Sequence, residues 1–130
     1  MSRPLELIRG LHNLRPEHRG CVATIGNYDG VHRGHQHMLE ATRRKADELG
    51  VPATVITFEP TPREFFEGAA APARLMRLRE KLEALALYGV DRVVVLRFDA
   101  RMRNFSAVEF EQQLLVAGLG VRHMVVGHDF

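Results

Sequence analysis

Four apolar runs rich in β-branched residues punctuate the chain: "CVATIG" (residues 21–26), "PATVITF" (52–58), "DRVVVLRF" (91–98) and "RHMVVG" (122–127). Their apolar character is nearly continuous rather than alternating, which predicts strands covered on both faces. A shorter run, "LELIRG" (5–10), reads as an extra edge strand. The intervening segments carry a helical period instead. Between residues 35 and 49, Met38, Leu39, Thr42, Ala46 and Leu49 share one face, and Gly50 supplies a stop. In "PARLMRLREKLEALALYG" (72–89), Pro72 lies near the start, Leu75, Leu78, Leu82, Leu85 and Tyr88 form a stripe, and Gly89 closes the segment. A third helix opens at "SAVE", where Ser106 and Glu109 have capping-box spacing, and runs to about Gly118.

Strands alternating with helices make repeated βαβ units and hence a parallel sheet. No internal repeat or low-complexity tract interrupts this order, and "EGAAAPA" (67–73) reads as a loop rather than a domain boundary. In an open parallel sheet, ligands bind beyond the carboxyl ends of the strands. The segments expected there are "NYDGVHRGH", "EPTPREFF", "DARMRN" and "HDF", where polar, glycine and proline residues are concentrated.

Composition adds mild bounds. The chain has 130 residues, 45% of them apolar and 26% charged, as in one ordinary globular domain. A net charge of +2 is too small to argue for nucleic acid as a partner. The single cysteine, Cys21, excludes an internal disulfide framework and fits a reducing cytoplasm. The start lacks the apolar stretch of a signal peptide, and no segment is long enough to span a membrane, so neither is expected as part of the function.

The chemistry is concentrated in "IGNYDGVHRGHQHML" (25–39), between the first long strand and the first long helix. Glycines at 26, 30 and 34 would permit positive φ angles and a close approach of backbone to ligand. A helix N-terminus offers unpaired amides and partial positive charge to a phosphate. His32 and His35 would stand beside it, a set of donors suited to charge developing on an α-phosphorus. Closely spaced histidines also suit zinc, but His35 and His37 would point to different sides of a helix and no third ligand is suitably spaced. A structural turn with surface histidines is the remaining alternative. Neither GxxxxGK[ST] nor GxGxxG occurs, which argues against a P-loop kinase or a dinucleotide dehydrogenase. His12, His18 and His123 read as ordinary surface or satisfied histidines, and His128 lies at the functional edge without a role.

At this point the residues carry a resemblance. The HxGH turn (His32, Gly34, His35) after a strand resembles the nucleotidyltransferase superfamily, and the longer "TIGNYDGVHRGHQHML" resembles the FMN adenylyltransferase module of bacterial bifunctional riboflavin kinase/FAD synthetases. "TFEPTPREFF", "RLREKLEALALYGVDRVVVLRFD" and "MVVGHDF" agree, so the resemblance covers essentially the whole chain. It departs at Tyr28, where the family usually has phenylalanine, and at Thr61, where it often has histidine or glutamine.

The resemblance implies an α/β fold, a Rossmann-like parallel sheet with flanking helices of nucleotidyltransferase type. It implies transfer of AMP from ATP to FMN, giving FAD and pyrophosphate, with Mg2+ accompanying ATP. Gly26, Asn27, Tyr28, Asp29, Gly34 and His35 would line the nucleotide cleft, His32 and His35 would be catalytic, and Phe58, Pro60, Pro62 and Asp129 would approach the flavin. Asp29 alternatively serves only the turn, and Phe58 only the core. The FMN phosphate is largely ionised at neutral pH, so no general base is needed.

The family continues past "GHDF" to a triphosphate-gripping arginine and a riboflavin kinase domain. The chain is therefore expected to be an incomplete adenylyltransferase domain over residues 1–130, its C-terminal part missing and the kinase half absent. Weak nucleotide binding, poor turnover and self-association through an uncovered edge are the corresponding expectations. The alternatives are a non-catalytic nucleotide- or flavin-binding fragment, or a related nucleotidyltransferase with another phosphate acceptor. The proline-framed aromatics of "FEPTPREFF" favour a flat ring and so argue against the latter.

Overall fold

The computed structural model describes residues 5–26, 28, 33–59, 66–70, 77–97, 100, 104, 109 and 111–126. Five strands form one sheet: β1 (Glu6–Arg9), β2 (Cys21–Ile25), β3 (Ala53–Phe58), β4 (Arg92–Leu96) and β5 (Val121–Val125). Their order is β1-β4-β3-β2-β5 and every pairing is parallel. The extra strand expected at "LELIRG" is β1, and it lies at an edge.

Two helices and a π-helix complete the layers: α1 (Arg33–Leu49), α2 (Leu78–Leu87) and the π-helix Glu111–Gly118. Residues 71–76, including Pro72 and Leu75, lie outside the described residues, so the expected stripe is visible from Leu78 onward. The expected capping box also falls largely outside them, since Ser106 is not described. The third helix differs in kind from the expectation. Leu119 N–H donates to the Leu114 carbonyl at 2.8 Å, five residues back, which is π-type bonding. Within the expected loop at 67–73, residues Gly68–Ala70 form a short exposed 3-10 turn.

Alternation along the strands sorts the core into two faces. Cys21, Ala23, Ile25, Ile56, Phe58, Val94 and Leu96 pack on one face with Leu114 and Leu119. Val55, Val93 and Val95 pack on the other with Leu39 of α1, Leu85 of α2 and Tyr28. Every position of β2, β3 and β4 is buried, as the continuous apolar runs require. β5 does not follow that expectation. It lies beside β2 at the edge of the described sheet, and Arg122 and His123 are exposed. Charged side chains are how an edge strand is normally kept from pairing further.

Both α-helices end at a glycine in the left-handed region, Gly50 at φ +67° and Gly89 at φ +84°, as their positions in the sequence imply. The Cys21 thiol is fully buried, and burial pushes its pKa above the ordinary range, which leaves it inert. No helix among the described residues is long and apolar enough to cross a membrane.

The polar clusters at the amino edge of the sheet are structural. Arg92 Nε donates to Glu6 Oε1 at 2.7 Å and its Nη1 to the His18 carbonyl at 2.8 Å. His18 Nδ1 accepts from the Arg15 N–H at 2.9 Å, so this buried histidine is satisfied by its own turn. Arg43 joins α1 to the start of β4 through Asp91, 2.7 Å away.

Candidate active site

Because all strands are parallel, the segments after β2, β3, β4 and β5 leave the sheet at one edge. The chain proceeds from β2 to β3 to β4 in one direction across the sheet, then crosses β2 to place β5 on its other side. That reversal is a topological switch point, where open parallel sheets form their ligand crevice. α1 starts at Arg33 directly after the turn that follows β2, so its N-terminus lies at this edge. α2 connects two parallel neighbours and runs back against them, which brings its first turn to the same edge.

Five candidate residues lie within the described part of this edge: Gly26, Tyr28, Gly34, His35 and Phe58. Gly34 and His35 belong to the first turn of α1. The His35 ring is half-buried and packs against the Tyr28 ring, with centroids 4.7 Å apart and planes inclined by 47°. Tyr28 has no exposed surface, and its hydroxyl is hydrogen-bonded to Thr24 Oγ1 on β2 at 2.8 Å. Burial raises the Tyr28 pKa, and the bond from Thr24 only partly offsets it. The phenol is therefore neutral. Its side chain is a buried support beneath the His35 ring.

The reason for glycine at position 26 also differs from the expectation. Among the described residues of this turn the positive φ falls on Tyr28, at +53°, while Gly26 does not adopt one. Gly26 N–H donates to the Ile56 carbonyl at 3.0 Å, and a Cβ there would meet Tyr28 Cε2 at 3.0 Å and Cδ2 at 3.4 Å. Glycine thus leaves room for the ring folded back over it, which a methyl group would force to give way by a few tenths of an ångström. Gly26→Ala is expected to cost about 1–3 kcal/mol, the usual range for forcing a methyl group into a filled space. A lowered urea midpoint would show this, and Tyr28→Phe should not relieve it, since the offending atoms belong to the ring.

Phe58 ends β3 on the opposite face of the sheet from Tyr28. It is 5% exposed and packs with Ile25, Ile56 and Leu96, the arrangement of a core aromatic. The structure therefore does not group Phe58 with His35. His32, Asn27, Asp29, Pro60, Pro62 and Asp129 lie outside the described residues. His37 is exposed on α1, as are His12 and His123 on their own elements.

Two neighbours of the edge were missed in the sequence. Thr24 was submerged in an apolar run, though period two places it on the face that Tyr28 folds over. Lys81, in the first turn of α2, is 2% exposed, with Nζ 4.0 Å from Glu59 Oε2 just after β3. Its position three residues after Leu78 and four before Leu85 was the available signal for a lysine on a buried face. Among the described residues, no group of three histidine, cysteine, aspartate or glutamate side chains could hold a metal ion.

Comparison with known proteins places the chain in a family. The FAD synthetase family model matches residues 14–130. A bifunctional riboflavin kinase/FMN adenylyltransferase of Pseudomonas fluorescens is 60% identical over 126 residues, covering 97% of this chain and 40% of that protein. Its counterpart in Haemophilus influenzae is 50% identical, covering 97% of this chain and 41% of that protein. The chain thus spans about 40% of the length of these curated relatives. A crystal structure described as a macrolide-efflux protein from Streptococcus pneumoniae superposes with a TM-score of 0.84 at 22% identity, over 97% of this chain and 42% of that one. At that identity the likeness concerns the fold alone.

Proposed function

From the chain's membership of the FAD synthetase family, we propose that it carries the adenylyl-transfer site of an enzyme that joins ATP and FMN into FAD and pyrophosphate. The observation that carries this reading is the placement of His35. It stands in the first turn of α1, at the carboxyl edge of β2, with its ring supported from below by Tyr28.

In this reading a phosphate oxygen of FMN attacks the α-phosphorus of ATP, a new P–O–P bond forms, and the bond to the β-phosphate breaks. Pyrophosphate leaves with the electron pair. Negative charge grows on the α-phosphate and leaving group, where imidazole and helix-terminal amides stabilise it. His32, the partner of His35 in the HxGH turn, has the same role on the strength of its position in the sequence. Asn27, Asp29 and Gly34 line the nucleotide side of the crevice, and Pro60, Pro62 and Asp129 the flavin side, with Phe58 as the core aromatic beneath them.

Magnesium accompanies ATP in this reading. It would be held mainly by phosphate oxygens and water. Residues 1–130 belong to the adenylylating part, with riboflavin phosphorylation assigned to none of them.

The test supplies FMN, ATP and magnesium to the chain, and to a polypeptide of the relatives' length that contains it, and follows FAD and pyrophosphate. Equal amounts of both products are expected from the longer polypeptide. Binding of ATP and FMN without any FAD would favour a non-catalytic binding fragment. Conversion of riboflavin to FMN by the 130-residue chain would overturn the assignment of chemistry to these residues.

A further inference from the structure

We propose that Tyr28 is a positioning residue of the adenylyl-transfer site: held by Thr24, its ring fixes the imidazole of His35 without touching either substrate. The proposal rests on the reading of His35 as a charge-stabilising donor.

Three independent features of the structure lead here. Tyr28 is a bulky residue at φ +53°, a region that non-glycine residues seldom occupy and that is retained where the surroundings over-determine it. The side chain has no accessible surface, so no ligand reaches it from the crevice. The hydroxyl is committed to Thr24 Oγ1 at 2.8 Å, inside the most buried strand pair of the sheet. An aromatic held at a strained backbone angle, closed to solvent and anchored at its tip is a rigid platform.

What rests on that platform is His35. The centroid distance of 4.7 Å and inclination of 47° are those of a tilted aromatic contact. The Tyr28 ring covers one side of the imidazole and so restricts its rotation. Reactions that depend on a placed donor lose much of their rate from small displacements of it. Gly26 completes the device, since any Cβ there would strike the Tyr28 ring.

The experiment compares Tyr28→Leu, Tyr28→Phe, His35→Ala and the double variant Tyr28→Leu/His35→Ala by steady-state kinetics, with ATP and FMN varied separately. Tyr28→Leu is expected to lower kcat about 30-fold while each KM stays within about threefold, the pattern of a lost transition-state interaction. Tyr28→Phe keeps the ring and should recover kcat to within about fivefold of the parent. In the His35→Ala background, Tyr28→Leu should add almost nothing, because the group it positions is gone. A merely structural role would add in that background. Additive losses, or a kcat of Tyr28→Leu within about threefold of the parent, would overturn the proposal. If His35→Ala itself keeps full activity, it is the reading of His35 that fails.

A measurement on the unaltered protein guards against misfolding of the leucine variant. Nuclear Overhauser contacts between the ring protons of Tyr28 and His35 are expected with and without ATP and FMN. Their absence in both states would exclude the platform whatever the variants do.

Discussion

Replacing His35 by alanine is expected to lower kcat for FAD formation on the order of 100-fold or more, the usual consequence of removing one donor aimed at developing charge. Stability should change little. The ring is half-buried at the sheet's carboxyl edge, outside the apolar clusters that hold α1 and α2 to the sheet. Alanine is also a better helix former than histidine, so the first turn of α1 loses nothing in propensity. KM for ATP should rise by less than kcat falls, since the charge to be stabilised is greater in the transition state than in bound ATP. His32→Ala is expected to behave alike, because both histidines belong to one turn and one developing charge. The check is kcat and KM from initial rates of pyrophosphate release, together with a thermal melt for each variant. Near-parental kcat in both variants would remove imidazole from the chemistry and leave the helix-terminal amides as the only donors proposed.

The sequence was legible where one force dominated. Continuous β-branched runs placed β2, β3 and β4 to within a residue or two, because burial on both faces leaves little choice of side chain. The stripe Leu39, Thr42 and Ala46 marked the buried face of α1 for the same reason. β5 shows the limit of that logic. Its composition is almost as apolar, but Arg122 and His123 put two exposed positions in its middle, and edge position depends on strand order, which no local pattern encodes.

The turn after β2 shows a second limit. Three glycines pointed to where unusual backbone angles were to be sought, yet among the described residues of the turn the left-handed one is Tyr28, and Gly26 serves to make room for it. The energy of the buried ring and its bond to Thr24 outweighs the local preference against a positive φ, a tertiary effect invisible in the turn itself. Likewise, the π-bonding of Glu111–Gly118 admits one more residue per turn than an α-helix. An i, i+3 signal cannot report it.

The largest effect on stability is expected at the opposite end of the sheet, from Asp91→Ala. Asp91 Oδ2 accepts from Arg43 Nη1 at 2.7 Å and from the Ala53 N–H at 2.9 Å, while its own N–H donates to the Ala53 carbonyl at 2.9 Å. One carboxylate thus ties α1 to the first residues of both β3 and β4. Its removal deprives the Ala53 N–H of this acceptor at a residue only 1% exposed, and a lost acceptor for a buried amide costs about 1–3 kcal/mol. The ion pair adds less. The two side chains are 28% and 23% exposed, and Arg43 retains Asp47 and the Gly89 carbonyl as partners, so solvent-screened coupling of about 1 kcal/mol or less is expected. Together these give a loss of about 1–4 kcal/mol, a large part of the stability of a domain this size. Asp91→Asn retains an acceptor oxygen for the amide and should lose less than half as much. Urea titration of both variants, with Arg43→Met and Asp91→Ala/Arg43→Met to close the cycle, measures each contribution separately. The folded fraction of Asp91→Ala should keep the parental kcat, because the cluster lies at the amino edge and His35 at the carboxyl edge. A fall in kcat without a fall in the urea midpoint would mean that the two edges are coupled, and that the crevice depends on more than the residues that face it.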